Sequence, residues 1–321
     1  MPTYQPPYQL TPRILRLVAE LCELLGRWSA TGGASLSPHL RRDNRIRTIH
    51  ASLAIEHNSL SLQQMTAVLD GKRVLGQPRE VQEVRNAFAA YEQLVQWQPA
   101  RAADLLAAHK ALMLGLVEGP GQYRQGGVGI YRGEVLVHMA PPANRVAQLM
   151  DELLGWLQSS DAHPLITSCV FHYEFEFIHP FDDGNGRMGR LWQTLILSQW
   201  QPLLAYLPVE TLVHARQEAY YQALSEADQR AEATPFIEFM LQALLDALGE
   251  TLMSGSEKIS EESSEKIIAL LRAEPRLPAR VLAERLGISS RAVEKQIARL
   301  REQGRLRRIG APKGGHWQVV Q

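Results

Sequence analysis

The chain contains 321 residues, 45% of them apolar, which is enough to bury a large core and a second, smaller domain. Its 34 Lys and Arg residues balance 34 Asp and Glu residues, so the overall charge indicates no general affinity for nucleic acid or for a membrane. The two cysteines lack metal or disulfide spacing, no apolar run is long enough to cross a membrane, and the N-terminus has no signal-peptide pattern, which together predict a cytoplasmic protein.

Residues 1–110 are predicted to form an N-terminal helical region. Apolar residues recur at helical spacing over 11–30, and a loop rich in Gly and Ser follows at 31–37. A second amphipathic helix is predicted at about 45–58. Further helical patterns follow at 60–69, 81–97 and 103–116.

Residues 111–253 are predicted to form a second helical unit that contains a β-hairpin. Glycine becomes frequent after residue 114, and two short β-prone pieces, 128–131 and 134–138, flank a turn at Arg132-Gly133. Helical patterns follow at 145–158, at 165–178 and, with an interruption at Thr234-Pro235, over 212–253.

A polar stretch at 179–190 lies between two apolar runs, 165–178 and 191–200, that are typical of buried helices. Gly184 and Gly186 can take positive φ without penalty, so the backbone around Asn185 can turn its N–H groups inward and then begin a helix at Arg187. The N-terminus of a helix attracts anions. The stretch therefore predicts an anion site.

The charged side chains of this stretch fit polyphosphate chemistry. Arg187 and Arg190 are three residues apart and share a face of the first helical turn, where guanidinium groups can hold phosphate oxygens. Asp183 offers a hard oxygen ligand for Mg²⁺, and His179 has an ordinary pKa suited to proton abstraction near neutral pH. The pattern indicates phosphate binding, a metal ligand and a general base within twelve residues.

The stretch His179-Pro-Phe-x-Asp-Gly-Asn-Gly-Arg-x-x-Arg190 resembles the signature of the Fic family at every fixed position. This resemblance implies a mainly α fold, consisting of a Fic-type helical bundle with a small β-hairpin flap. It also implies transfer of AMP from ATP to a Ser, Thr or Tyr hydroxyl of a target protein, with Mg²⁺ as cofactor. The flap would add the target segment as an extra strand, while an ordinary surface hairpin is the alternative.

The same resemblance implies a role for each residue of the signature. His179 would take the proton from the target hydroxyl, and Asp183 would ligate Mg²⁺ between the α- and β-phosphates. Gly184, Asn185 and Gly186 would form the anion nest. Arg187 would hold the β-phosphate region, and Arg190 would hold the γ-phosphate.

Two aromatic residues are also assigned to the nucleotide site. Phe181 would be the buried anchor beneath the loop. Tyr221, or its neighbour Tyr220, would line the adenine pocket, with core packing as the equal alternative because adjacent helical residues point in different directions.

The segment Ser52-Leu-Ala-Ile-Glu56 resembles the inhibitory motif of some Fic proteins. The resemblance implies that Glu56 pairs with Arg190 and occupies the path of the γ-phosphate. His57 departs from the Gly or Asn that usually follows this glutamate. The alternative is that Glu56 is only a surface partner of Arg45.

The C-terminal part is predicted to be a separate domain. Residues 254–266 resemble a charged, serine-rich linker. Residues 267–321 show two helices around Gly287 and a tail like the β-hairpin wing of a winged helix-turn-helix domain. From residue 276 onwards there are 11 basic and 3 acidic residues, a net charge of 11 − 3 = +8, which suits DNA phosphates; contact with protein is the alternative.

Several functional alternatives stay open at this stage. The partners implied are ATP and a hydroxyl-bearing protein, which includes the chain itself, and a homodimer stays open. A DNA-binding transcriptional regulator with a nucleotide-sensing Fic core is a second hypothesis. Removal of AMP from a modified protein at the same site is a third, with Glu56 positioning a water molecule.

Overall fold

The computed structural model describes residues 4–30, 38–132, 135–286, 289–310 and 314–320. They belong to two compact units, Met1–Gly249 and Glu250–Gln321, and each is described by itself. The loop predicted at 31–37, the hairpin turn at Gly133 and the turn at Gly287 lie outside the described residues. No helix within the described ranges is long and apolar enough to cross a membrane.

Helices form the N-terminal part of the larger unit. Ser61 begins one of them with a capping box, in which its hydroxyl accepts from the Gln64 N–H and the Gln64 side chain accepts from the Ser61 N–H. The helices are α1 (Pro12–Ala30), α2 (Pro38–Ile55), α3 (Leu62–Leu69), α4 (Pro78–Gln93) and α5 (Ala102–Met113), with a 3₁₀ turn at Leu94–Gln96.

The helix predicted at about 45–58 is α2, but its bounds differ from the prediction at both ends. It begins at Pro38 and ends at Ile55. Glu56 therefore lies in the turn after the helix, and His57 has a left-handed φ of 68°. Gly adopts this conformation without strain and Asn and His are enriched in it, so His57 suits its position in the turn.

A hairpin and three long helices form the centre of this unit. Strands β1 (Gly129–Arg132) and β2 (Val135–Met139) pair antiparallel with a bulge between Ile130 and Tyr131. Helices α6 (Ala143–Ser159), α7 (Pro164–Ile178) and α8 (Asn185–Trp200) follow. Buried residues of α7, of α8 and of the turn between them contribute to the core, and include Phe171, Phe175, Phe181, Met188, Leu191 and Trp192.

The region predicted as one interrupted helix over 212–253 contains three helices. They are α9 (Val209–Ala215), α10 (Gln217–Arg230) and α11 (Thr234–Ala273), and Ala231 ends α10 with a left-handed φ of 51°. Residues 254–266, predicted as a linker that leads into a helix, are themselves helical, because α11 continues through them. Serine, glutamate and lysine sustain a helix where proline is absent and a single glycine interrupts the run.

The smaller unit is a winged helix-turn-helix domain, as predicted. It contains α12 (Ala279–Leu286), α13 (Ser290–Glu302) and the antiparallel wing strands β3 (Leu306–Ile309) and β4 (His316–Val319). The Ser289 hydroxyl caps α13 by accepting from the Ala292 N–H at 3.2 Å. The core of the unit includes Ile267, Leu271, Leu282, Val293, Ile297, Leu300 and Leu306.

A buried carboxyl group lies in the core of the larger unit. Glu210 of α9 accepts hydrogen bonds from the Tyr91 hydroxyl at 3.3 Å and the Thr194 hydroxyl at 3.4 Å, while its Oε2 has no partner among the described groups. Burial raises the pKa of Glu210 to about 7, although Arg190 opposes this rise. An unfolded chain would ionise this group near pH 4.5.

Wild-type protein should therefore lose stability as the pH rises from 4.5 through about 7, because the unfolded state releases the Glu210 proton first. Glu210→Gln removes this loss, which amounts to at most about 3 kcal/mol. Urea denaturation at several pH values should show the variant gaining on wild type across this window. A difference between the two proteins that does not change with pH would contradict the assignment.

Candidate active site

The turn between α7 and α8 is held by hydrogen bonds to its own backbone. His179 ends α7 with a left-handed φ of 50°, and Gly184 precedes α8 with a φ of 89°. The Asn185 side chain closes the loop, since Nδ2 donates to the Phe181 carbonyl at 2.8 Å and Oδ1 accepts from the Phe181 N–H at 2.9 Å. A non-glycine residue in the left-handed region costs about 1 kcal/mol or more, so the surroundings of His179 must hold it there.

Phe181 lies beneath the turn and is 0% exposed. Its ring stacks on His109 of α5 with centroids 3.6 Å apart. His109 Nδ1 accepts from the Gly121 N–H at 2.8 Å, so its Nε2 carries the proton and donates to the Asp183 carbonyl at 3.0 Å. Phe181 thus has the buried position beneath the turn that the resemblance implies for an anchor.

The environment of His179 favours its neutral form. Burial lowers the pKa of His179, the Glu176 carboxylate opposes this effect, and the positive charges of His138 and Arg124 reinforce it. The imidazole Nδ1 is buried and has no hydrogen-bond partner within the described part of the chain. A neutral imidazole with one nitrogen shielded accepts a proton at the other, Nε2.

An ion-pair network surrounds Arg187 and Asp183 near the start of α8. Arg187 Nη2 donates to Asp183 Oδ1 at 2.8 Å, Arg187 Nη1 lies 3.4 Å from Glu83, and Arg79 donates to Asp183 Oδ2 at 3.0 Å. Arg187 is buried, whereas the Asp183 side chain is 40% exposed. The arginine is therefore positioned by carboxylates that phosphate oxygens can replace.

The donor set around Asp183 suits a weakly held Mg²⁺ ion. The described residues contain no group of three or more His, Cys, Asp or Glu side chains placed to hold a metal. Mg²⁺ commonly takes one or two protein carboxylates and fills its other positions with substrate phosphates and water. Asp183 would be the protein ligand, once its oxygen is released from Arg79.

Arg190 is held by the C-terminal end of α2. Its Nε donates to the Ser52 hydroxyl at 3.0 Å, and its Nη2 donates to the Ser52 carbonyl at 3.0 Å and to Glu56 Oε1 at 2.7 Å. Arg190 is 3% exposed and the Glu56 side chain 31%. Burial acts to lower the pKa of Arg190, but the Glu56 carboxylate and other anionic neighbours outweigh it and the pKa is raised. The sequence thus predicted the residues that meet here.

Gly186 allows Glu56 to approach the start of α8. A Cβ atom at Gly186 would overlap the Glu56 carboxylate and lie 3.0 Å from Arg190 Nη1. Glu56 Oε1 therefore lies close to the Gly186 backbone at the start of α8.

These groups share one cleft of about 220 Å³. Besides Glu56, Gly186 and Arg190, its lining includes His179 and the α10 residue Tyr221, whose hydroxyl accepts from Gln217 at 3.1 Å. Tyr220 also borders it but is buried, with its hydroxyl 3.2 Å from His172.

Residues remote in sequence complete the site, and sequence analysis did not identify them. His109 and Arg124 contact the backbone of the turn. His138 of β2 lies 2.9 Å from both Asp228 and the Phe177 carbonyl, and so attaches the hairpin to α10 and α7. Burial lowers the pKa of His138, but Asp228 outweighs burial and the pKa is raised. In the sequence, these three residues are marked only as polar residues near a predicted loop. Many surface residues have the same property, so it does not single them out.

Fold and site together define a helical protein in which a histidine of lowered pKa, the glycine at the start of a buried helix and a buried arginine line one cleft. The crystal structure of a Fic family protein from Desulfovibrio desulfuricans is 53% identical, with a TM-score of 0.77, and the match covers 99% of this chain and 98% of that one. The Fic/DOC family model matches residues 99–197, and a winged helix-turn-helix DNA-binding model matches 261–307. The chain belongs to the Fic family.

More distant relatives match the larger part of the chain. A protein named protein adenylyltransferase Fic from Drosophila grimshawi is 28% identical over 215 residues, which are 62% of this chain and 41% of that protein. Its Culex quinquefasciatus counterpart is 28% identical over 66% of this chain and 42% of its own length. The chain thus spans about two fifths of these relatives. Fic-1 from C. elegans, at 20% identity and a TM-score of 0.62 over 76% of this chain, shares the fold.

His109→Ala should lower the free energy of unfolding by about 2–4 kcal/mol, because it removes the stacking partner of Phe181 and leaves two main-chain groups without partners. Urea denaturation measures this change. The control is His214→Ala at an exposed position, which should change stability by about 0.5 kcal/mol or less. Equal effects of the two substitutions would show that His109 does not support the turn.

Proposed function

We propose that this protein transfers AMP from ATP to a hydroxyl group of a target protein. The observation that carries the proposal is that His179, whose pKa is lowered by burial, lines one cleft with Gly186 at the start of α8 and with Arg190. The names of the 28% identical relatives support it.

Each group of the cleft has a part in this reaction. The hydroxyl oxygen attacks the α-phosphorus, its proton passes to His179 Nε2, and pyrophosphate leaves. The first N–H groups of α8 and the Arg187 guanidinium bind phosphate oxygens, and Arg190 binds the terminal phosphate. Mg²⁺, held by Asp183, would supply positive charge between the phosphates. Tyr221 would border the adenine.

The β1–β2 hairpin is the proposed binding element for the target. An extended segment that pairs with a strand edge is held by main-chain hydrogen bonds, which fix its register without demanding a particular sequence. Attachment of β2 to α7 and α10 through His138 keeps this edge beside the cleft.

Glu56 is proposed to inhibit the reaction by occupying the place of the terminal phosphate. A carboxylate and a phosphate compete for the same guanidinium group, and Glu56 holds Arg190 at 2.7 Å. Keeping the competent state at about 1% of the population requires a free-energy difference of only about 2.7 kcal/mol. A single partly buried ion pair that is assisted by hydrogen bonds can supply this.

Glu56→Gly should raise AMP transfer up to about 100-fold, because it releases Arg190 for the nucleotide. The assay incubates each variant with α-labelled ATP, Mg²⁺ and a cell lysate and measures the labelled protein. The control Glu118→Gly removes an exposed loop glutamate and should leave labelling at the wild-type level. Adding His179→Ala to Glu56→Gly should abolish the label.

The absence of label with a folded Glu56→Gly variant would contradict AMP transfer from ATP. A preloaded AMP-protein that loses its label would then indicate the reverse reaction, with Glu56 positioning water. Label that persists in the double variant would exclude His179 as the base.

We also propose that the smaller unit binds duplex DNA. The favouring observation is that α13 directs Val293, Ile297 and Leu300 into the core and exposes Arg291 and Lys295. The wing carries further basic residues, and the family model that matches this segment describes a DNA-binding domain. Exposed basic residues on a recognition helix release counterions from phosphates.

Full-length protein should bind a short duplex with an affinity that falls steeply between about 50 and 200 mM salt. Arg291→Ala and Lys295→Ala should each reduce the slope of log K against log salt by about 1. Arg16→Ala on α1, exposed but in the other unit, is the matched control and should leave the slope unchanged. If binding is absent or does not depend on salt, the DNA-binding proposal is contradicted. Contact with a protein would then be the remaining function for this unit.

A further inference from the structure

Arg124 lies between α5 and β1 and is 2% exposed, although it has no part in the proposed chemistry. Its guanidinium group donates four hydrogen bonds, all to main-chain carbonyl oxygens among the described residues. Nε donates to His179 at 2.7 Å, Nη1 to Gly126 at 2.8 Å, and Nη2 to Pro141 at 2.6 Å and Ile178 at 3.2 Å.

The position of this arginine at the end of α7 explains how a cation is buried there. The last carbonyl groups of a helix have no helical partners and carry the negative end of the helix dipole. Arg124 supplies donors to two of them and so caps the helix. Burial lowers the pKa of Arg124, and the nearby Asp182 carboxylate opposes this decrease.

The backbone of Arg124 extends the same contact. Its N–H donates to the Pro180 carbonyl at 2.9 Å, so one residue binds the carbonyl oxygens of Ile178, His179 and Pro180. His179 is the residue with φ of 50°. A left-handed histidine persists only where its surroundings determine the backbone, and these three bonds do so.

The other two acceptors belong to the base of the hairpin. Gly126 precedes β1 and Pro141 follows β2, and the Ala140 N–H closes this base by donating to the Val128 carbonyl at 3.1 Å. The guanidinium group thus joins both ends of the hairpin to the turn that carries His179.

We propose that Arg124 is a positioning residue that fixes the His179 main chain relative to the base of the hairpin, so that the proton acceptor and the target-binding edge keep their alignment. This proposal rests on the proposed function, in which His179 accepts the proton and the hairpin holds the target. Lysine cannot replace the arginine, because one ammonium group does not reproduce the planar arrangement of donors toward four carbonyl groups.

The test compares Arg124→Lys and Arg124→Gln in the Glu56→Gly background. Because misalignment of about 1 Å can cost about 100-fold in rate, we expect kcat for AMP transfer to fall about 10- to 100-fold in both variants. KM for ATP should stay within about 3-fold, since the phosphate-binding side chains keep their own partners. Arg145→Gln, at an exposed position on α6, is the control and should leave both constants unchanged.

A second measurement does not depend on activity. NMR titration of isotope-labelled histidine, with the His179 signal assigned through His179→Asn, reports the pKa of His179 directly. That pKa should rise in Arg124→Gln, which removes a positive charge, and stay near its starting value in Arg124→Lys. The other charged groups that face His179, Glu176 and His138, are unchanged in both variants.

Each outcome decides the proposal. A folded Arg124→Gln variant with unchanged kcat and an unchanged His179 titration would overturn the proposal. A rise in KM for ATP with unchanged kcat would also overturn it. If Arg124→Gln does not fold, Arg124→Lys carries the kcat test, and full activity there would overturn it. If every protein lacks AMP transfer, the proposed function fails, while the titration still tests the contact between Arg124 and His179.

Discussion

The site depends on one constraint, which is that the chain must reverse between α7 and α8 in a left-handed turn. The groups that hold the turn act on its backbone: the Asn185 amide closes it, His109 binds the Asp183 carbonyl and Arg124 binds the carbonyls around His179. Phe181 fills the space beneath. Because backbone bonds fix the turn, its charged side chains can exchange partners without unfolding it. A site in which some residues hold the backbone and others carry the charges can bind and release a polyanion without losing its shape.

Both arginines of the signature already have anionic partners, so the proposed binding of a nucleotide would be an exchange of anions. Arg187 is paired with Asp183 and Glu83, and Arg190 with Glu56. The Asp183 and Glu56 side chains are 40% and 31% exposed, so water solvates them readily when a phosphate displaces them. The two arginines are buried and lose most if left unpaired. In the proposed exchange, the two arginines would therefore stay in place while phosphate oxygens replace the carboxylates that pair with them.

Contiguous parts of the site could be predicted from sequence because the signature encodes them locally. The turn and the helix after it follow from residue types at fixed spacing, whereas the pairing of Glu56 with Arg190 is implied only by the resemblance of residues 52–56 to the inhibitory motif. His109 and Arg124 could not be predicted, since their partners are backbone carbonyls brought near by packing, which leave no residue-type signature. The predicted helix ends differ from the observed ones for a related reason. The run at 254–266 has the composition of a linker, yet helical hydrogen bonds continue through it, and the end of α2 at Ile55 is set by a turn at His57.

The end of α2 divides the proposed inhibition into two parts. Ser52 binds Arg190 through both its hydroxyl and its carbonyl, and this carbonyl belongs to the last turn of α2, where the helix dipole favours a cation. Glu56 adds a third acceptor from the turn beyond the helix. Without the Glu56 carboxylate, Arg190 still has both Ser52 acceptors to orient it. In the proposed inhibition, the serine would therefore position the arginine and the glutamate alone would block it, so removing Glu56 would leave the binding group in place.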